Sequence, residues 1–340
     1  VRTRELTRAA MSDLLGGVNP RGHAIADATD AALLGALAIA GREDAERWGA
    51  ERARVAFVAM GRYGGRECSY ASDADVIALH EAVGGASDSE AAASATAIVN
   101  RVKKLLGSAT SQLGIVVDLD LRPEGKNGPM SRTIASHEEY AQRWASTWER
   151  QAAVRARPIG DGELAQAARS LFESMAYRDV SEAEVRDIRL LKARMENERL
   201  PRGTEPARHV KLGPGGLSDV EWTIQLIQMR HGREVEALRT SSTTDAIAAA
   251  RDAGLLGASD AEILLNAWDL ATRIRAGNTL ATGRMSGVKL DVVPRDSAEL
   301  GALAAILGYG SGGLTALEED WLRAARQARD VMERAFWEQQ

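Results

Sequence analysis

Three short apolar runs, all within the first 121 residues, do most to limit what this chain can fold into. They are Arg54-Val-Ala-Phe-Val-Ala-Met60, Ala74-Asp-Val-Ile-Ala-Leu79 and Ile115-Val-Val-Asp-Leu-Asp-Leu121. Each is apolar or β-branched and bounded by glycine or charge, the signature of a buried strand. Helical stretches separate them: residues 90–113, with Ile98, Val102, Leu105 and Leu106 at helical spacing, and residues 5–50, broken at Gly16-Gly-Val-Asn-Pro20. Past residue 160 only the helical period remains, over 184–200, 217–231, 242–253, 260–281 and 318–338. Turn-rich connections, Pro201-Arg-Gly-Thr-Glu-Pro206 and Lys211-Leu-Gly-Pro-Gly-Gly216, punctuate it. The pattern predicts an α+β chain: a mixed lobe with N-terminal helices over 1–160, then an all-α bundle over 161–340. A length of 340 residues suits two domains, and 45% hydrophobic residues suffice for their cores.

Charge and composition remove several function classes. A net charge of −5 argues against a nucleic-acid duplex, which demands a basic surface, and 4% aromatics argue against single-strand stacking. A single nucleotide needs only a few local cations. The one cysteine, Cys68, and five scattered histidines give no disulfide within the chain and no zinc spacing, so a reducing, cytoplasmic setting is expected. No signal peptide and no apolar run of transmembrane length is read, since residues 31–40 are broken by Gly35; no membrane partner is expected. A start at Val1 fits an excised piece of a longer protein.

The candidate chemistry lies in the first half. Gly61-Arg-Tyr-Gly-Gly-Arg66 follows a strand, where glycines admit close approach of a phosphate and Arg62 and Arg66 add charge; a plain turn is the competing reading. In Ser72-Asp-Ala-Asp-Val-Ile77, strand alternation puts Asp73 and Asp75 on one face. Two carboxylates that close repel unless a divalent cation lies between them; a polar strand entrance is the alternative. The same alternation places Asp118 and Asp120 together, with Arg122, opposite the apolar Val117, Leu119 and Leu121. Carboxylates on neighbouring strands are what two-metal phosphoryl transfer requires.

Taken in order, five stretches resemble the glutamine synthetase adenylyltransferase family. They are Gly61-Arg-Tyr-Gly-Gly-Arg-Glu67 with Ser72-Asp-Ala-Asp75, Val117-Asp-Leu-Asp-Leu-Arg-Pro-Glu-Gly125, Trp148-Glu-Arg-Gln-Ala152, Arg155-Ala-Arg-Pro158 and Lys211-Leu-Gly-Pro-Gly-Gly-Leu-Ser-Asp-Val-Glu221. The resemblance implies a DNA-polymerase-β-like nucleotidyltransferase lobe followed by a helical bundle. It also implies one half of a bifunctional enzyme in which one half adenylylates a tyrosine of glutamine synthetase from ATP and the other removes AMP by phosphorolysis. Ser218-Asp-Val-Glu221, and a chain ending in a helix at Gln340 without a linker, point to the C-terminal, adenylylating half. By position, Asp73 and Asp75 match the metal pair and Asp118 the third carboxylate and base, and Asp120, sharing the face, is counted with them as a metal ligand. Gly64, Gly65, Arg62, Ser72, Arg122 and Lys211 are expected toward the nucleotide, Arg122 being equally suited to a structural pair. ATP and Mg²⁺ are the implied cofactors, Mn²⁺ being equally acceptable to oxygen ligands. Glutamine synthetase is the implied substrate and the PII signalling protein the implied regulator. The competing readings are the AMP-removing half and a non-catalytic nucleotide- or PII-sensing domain; an antibiotic-modifying nucleotidyltransferase fits poorly with the Leu-Arg-Pro-Glu-Gly block.

The remaining features read blandly. Glu149, Arg155 and Arg157 form a charged cluster, as apt for a helix end as for a phosphate. The lysine–glycine turn at 211–216 is expected to contact the nucleotide or the catalytic lobe. The run 186–194 reads as a solvated helix face. Trp144, Trp148, Trp222 and Trp268 read as core, His80 as structural, and Cys68 as without a catalytic role.

Overall fold

The computed structural model describes residues 2–15, 21–107, 114–310 and 313–338. Its contacts cluster in two units, one dominated by residues 20–68 and 72–176 and the other by 177–340. The anticipated break at 16–20 and the end of the 90–113 stretch lie outside the described residues.

After α1 (Arg2–Leu14), the first unit runs α2 (Arg21–Trp48), β1 (Ala53–Ala59), a single turn α3 (Gly61–Gly64), β2 (Ala74–Ala82) and α4 (Asp88–Leu106). It continues β3 (Val117–Asp118), β4 (Ser131–Arg132), α5 (Ile134–Arg143), α6 (Thr147–Ala153), β5 (Arg157–Pro158) and α7 (Glu163–Ala176). The sheet order is β3-β2-β1-β5, and β4 also pairs with β2. β1 lies antiparallel to β2 and β5, while β3 and β4 run parallel to β2 at successive points along one edge, 74–75 with 117–118 and 78–79 with 131–132. β1 and β2 are buried almost throughout, because α4 and α7 both pack on them. His80 is buried and shares a hydrogen bond with Ser131 Oγ (3.0 Å), tying β2 to β4, the structural part expected of it.

Two expectations need correction here. The third apolar run is a strand only at Val117–Asp118, because Arg122 N–H donates to Leu119 carbonyl and turns the chain off the sheet. Asp120 and Arg122 therefore do not continue the strand face of Asp118. Residues 22–48 of α2 are also long and apolar enough to cross a membrane by length and composition. Here Ile25, Ala26, Leu33 and Ala40 are buried and α2 packs along α4, while Leu34 and Ile39 on its other side are exposed.

The second unit is helical: α8 (Glu182–Glu198), α9 (Leu217–His231), α10 (Thr243–Asp252), α11 (Ala258–Thr282), α12 (Ser297–Ile306) and α13 (Gly313–Met332). Its core joins Ile224, Leu264, Trp268, Ile274, Leu303, Trp321 and Val331, with α11 packed against α9, α10, α12 and α13. In the 186–194 run on α8, Arg186, Asp187, Leu190 and Arg194 are exposed, but Ile188 is buried and Lys192 is wholly buried between two carboxylates. Trp268 is buried as expected, but Trp144 is 73% and Trp148 41% exposed. They sit where α5 ends and α6 begins, so no continuous helix stripe carries them inward.

Candidate active site

The β2 edge brings the acids together. Asp75 and Asp118 are register partners across the parallel β2–β3 pair, so the two carboxylate-bearing residues neighbour one another on adjacent strands. Asp73 stands two residues before Asp75, just ahead of β2, and is exposed, while Asp75 and Asp118 are half-buried. Asp118 Oδ1 accepts the Asp120 N–H at 2.7 Å, which fixes its carboxylate at the strand exit. Asp120 lies in the turn, its carboxylate 3.3 Å from Lys126 Nζ and 3.9 Å from Arg122.

The glycine turn reaches this edge through Gly61 rather than the later pair. Met60 N–H donates to Asp75 carbonyl, and Gly61 has φ +52°, a conformation that favours glycine. A Cβ there would stand 3.0 Å from Asp75 Oδ2. Gly64 and Gly65 are buried, and their N–H groups donate to the Met60 and Gly61 carbonyls. A Cβ on Gly64 would meet the Arg155 carbonyl at 1.8 Å, so this glycine permits close backbone packing.

Arg155 and Arg157 hold the turn from behind. Arg155 Nε donates to the Gly61 carbonyl (3.2 Å) and its guanidinium pairs with Glu67. Arg157 donates to the Gly64 carbonyl (3.1 Å) and grips Asp30 with two nitrogens at 2.8 and 3.0 Å. Burial works against the Arg157 charge, and Asp30 more than restores it, raising its pKa. Burial pushes the Tyr63 hydroxyl up as well; it donates to the same Asp30 at 2.5 Å. Glu149 does not join these arginines: it caps α6 through Ser146 N–H and accepts from Tyr140 Oη at 2.9 Å, which separates the charged cluster read from sequence. Arg62 is half-buried, close enough to Cys68 for its charge to favour a thiolate, yet burial dominates and pushes the thiol to about 12. Ser72 is half-buried beside Asp73.

The loop after Asp118 is equally restrained. Arg122 is buried and donates to the Leu119 and Gly128 carbonyls at 2.9 and 3.2 Å. Glu124 carries φ +62°, uncommon for a residue with a Cβ, and pairs with Arg132 on β4. Arg132 in turn lies over the Tyr140 ring, 5.4 Å from its centroid. Sequence reasoning missed Gly61, Glu124 and Arg132. The first opens the glycine motif and the second closes the Leu-Arg-Pro-Glu-Gly block, so their motifs marked them; Arg132 carried no signal.

Whether a divalent cation suits this edge is a question of donors. Among the described residues, no three His, Cys, Asp or Glu side chains group closely enough to hold a metal as they stand. The donor chemistry nonetheless fits Mg²⁺ or Mn²⁺: hard carboxylate oxygens from register-paired residues, with a third acid two residues upstream.

Lys211 belongs to the helical unit. Its glycines serve packing: a Cβ on Gly215 would stand 1.7 Å from the Ala325 carbonyl and one on Gly213 2.0 Å from that of Pro206. Asp219 is 1% exposed and accepts from Lys192 Nζ (2.5 Å), Arg329 Nη1 (3.1 Å) and Gly215 N–H (2.8 Å).

Comparison with known proteins agrees with the motif order. The family model for glutamate-ammonia ligase adenylyltransferase matches residues 1–171. The chain belongs to the glutamate-ammonia ligase adenylyltransferase family. A model described as GlnD PII-uridylyltransferase matches residues 189–336 of this family member's helical unit. Proteins named bifunctional glutamine synthetase adenylyltransferase/adenylyl-removing enzyme are similar to it along nearly its whole length. That of Streptomyces coelicolor is 43% identical over 99% of this chain and 35% of its own length. That of Streptomyces avermitilis is 45% identical over 98% of this chain and 32% of its own, and that of Bifidobacterium longum subsp. infantis 42% identical over 100% and 32%. This adenylyltransferase-family chain thus spans about a third of the length of the curated relatives it matches.

Proposed function

We propose that this chain is an adenylylating nucleotidyltransferase that moves AMP from ATP to a tyrosine hydroxyl of glutamine synthetase. One observation carries the reading: Asp75 and Asp118 neighbour one another in register, with the Gly61 turn against Asp75 and Asp73 just upstream. In this reading residues 1–160 form a DNA-polymerase-β-like lobe and 161–340 its helical companion.

The tyrosine oxygen forms a bond to the α-phosphorus as the bond from that phosphorus to the β-phosphate bridging oxygen breaks. Pyrophosphate leaves with that electron pair, and Asp118 takes the tyrosine proton. Asp73, Asp75 and Asp118 would hold Mg²⁺ or Mn²⁺, which would offset the charge of the triphosphate and of the developing phenoxide. The inward-facing arginines keep the glycine turn rigid, so the triphosphate meets a surface that does not reorganise. Asp120, occupied by Lys126 and Arg122, is left out of the metal set first assigned to it. The whole enzyme would answer to the PII signalling protein and so govern nitrogen assimilation.

The test is incubation with ATP, Mg²⁺ and unmodified glutamine synthetase, followed by intact-mass measurement of the synthetase. A gain of one AMP per subunit is expected. Loss of AMP from adenylylated synthetase on adding phosphate, without gain in the forward direction, would assign the AMP-removing half instead. Silence both ways would leave a sensing domain.

A further inference from the structure

The helical unit contains a cavity of about 510 Å³ whose lining includes none of the sheet-edge carboxylates. It is bordered by the end of α8 (Met195, Arg199), the 209–212 turn, the start of α9 (Ser218, Glu221, Trp222) and the 287–291 segment. The volume lies in the range of small-molecule sites.

Its walls are fixed. Val210 N–H donates to the Asp291 carbonyl and Val293 N–H to that of Arg208, which binds the 208–210 strand to the far wall. The buried Asp219 network sets the position of the α9 start.

The donors in these walls are less committed than the acceptors. His209 is 2% exposed, and its Nδ1 accepts the N–H groups of Lys211 and Leu212 at 3.3 and 3.1 Å. That fixes the hydrogen on Nε2, which has no hydrogen-bond partner among the described residues although the ring lines the cavity. Burial lowers the His209 pKa, and Nε2–H donates whether the ring is neutral or protonated. Arg199 and Lys211 are exposed, and neither side chain forms an ion pair or hydrogen bond among the described residues. Of the two acids present, Asp291 is paired with Arg275, whose Nη1 is itself buried without a partner. Among the lining residues Arg199 and Lys211 match Glu221 and Asp291 in number, and Arg275 behind Asp291 adds a third cation, while Met195, Leu212, Trp222 and Val288 supply an apolar side.

We propose that this cavity binds a small phosphate-bearing molecule, its phosphate held by His209 Nε2–H, Lys211 and Arg199 and its body lying along Met195 and Trp222. Three donors drawn from two chain segments suit a tetrahedral anion, which presents oxygens in several directions; a planar carboxylate is better served by one guanidinium fork. The proposal is independent of the reading of the sheet lobe.

Calorimetric titration of the whole chain with inorganic phosphate, and separately with ribose 5-phosphate, tests it without a nucleotide that the carboxylate site would take. Saturable binding is expected, weakened at least about tenfold in Arg199→Met and in Lys211→Met and unchanged in Asp73→Asn. Tighter binding of ribose 5-phosphate identifies an organic phosphate as the ligand; equal binding identifies free phosphate. Absence of saturation by either anion overturns the proposal, as does binding that both methionine variants leave unaltered while their circular dichroism matches the parent. Citrate binding in place of phosphate would overturn the ligand class.

Discussion

The two units carry look-alike motifs put to different uses. Gly61 to Gly65 leads to Asp73-Ala-Asp75 in one, and Gly213 to Gly216 leads to Asp219-Val-Glu221 in the other. In the sheet unit the leading acid, Asp73, is exposed, and the guanidinium groups of Arg155 and Arg157 face the carbonyls behind the turn. In the helical unit the leading acid, Asp219, is sealed between Lys192 and Arg329 and ties α8, α9 and α13 together. Motif spacing alone does not separate an acid that does chemistry from one that holds a fold. The placement of nearby cations differs between the two: Arg155 and Arg157 bind carbonyls behind the loop, whereas Lys192 and Arg329 close on the Asp219 carboxylate itself.

Two substitutions would break this comparison at its strongest points. Asp73→Asn or Asp75→Asn removes charge from the open edge and is expected to lower turnover by on the order of 10³-fold or more, about 4 kcal/mol in the transition state. Thermal unfolding should stay within about 2 °C of the parent. Retained turnover would remove these carboxylates from the reaction. Asp219→Ala should do the reverse, costing roughly 3–5 kcal/mol of stability, because it leaves the buried Lys192 ammonium with Glu196 alone. Denaturant titration measures that loss; an unchanged midpoint would deny the network its structural role.

Much of this was legible in the sequence. The apolar runs gave β1 to within one residue at each end and the start of β2, which continues to Ala82 and leaves Asp73 just outside it; α9 matched its expected 217–231 span. What escaped was set by tertiary contact. β3 stops at Asp118 because the loop beyond it folds back on Arg122, and periodicity reads polarity without seeing where a turn begins. α5, α6 and α12 are too short to show a stripe, although Thr133, the Ser146–Glu149 capping box and Asp296 mark their starts. The tryptophans at 144 and 148 were misplaced because helical spacing was carried across the α5–α6 junction. Lys192 looked solvated because its partner, Asp219, lies 27 residues away.

A smaller effect sharpens the contrast within the sheet unit itself, where not every ionisable group near the sheet is open. His137 on α5 is 1% exposed and packs edge-on to Phe172 at 5.2 Å. Burial lowers its pKa to about 4. The unfolded chain therefore binds a proton near the ordinary histidine value of about 6.5 that the folded chain refuses until about pH 4. Its contribution favours the fold above that window and is lost progressively as pH falls through it. The loss should reach on the order of 3 kcal/mol at the acid end. His137→Leu should flatten the slope of stability against pH between those limits. An identical slope would mean that the other buried histidines, His80 and His209, carry it.

The smallest expected effect probes the contact that joins turn to carboxylate. Gly61→Ala must place a Cβ at φ +52° and within 3.0 Å of Asp75 Oδ2. The backbone term alone costs about 1 kcal/mol, because alanine is unfavourable where φ is positive. The steric term acts on one oxygen of one carboxylate. Stability should therefore fall only by about 1–2 kcal/mol. Turnover should fall more than that loss accounts for, since Asp75 must turn away from the edge it shares with Asp118. Gly254→Ala is the control: its φ is +71° in the helical unit and a Cβ there meets nothing within 4 Å. It should show the backbone cost without the kinetic one. Equal kinetic losses in the two variants would mean that Gly61 acts through folding alone and that the turn does not set the carboxylate.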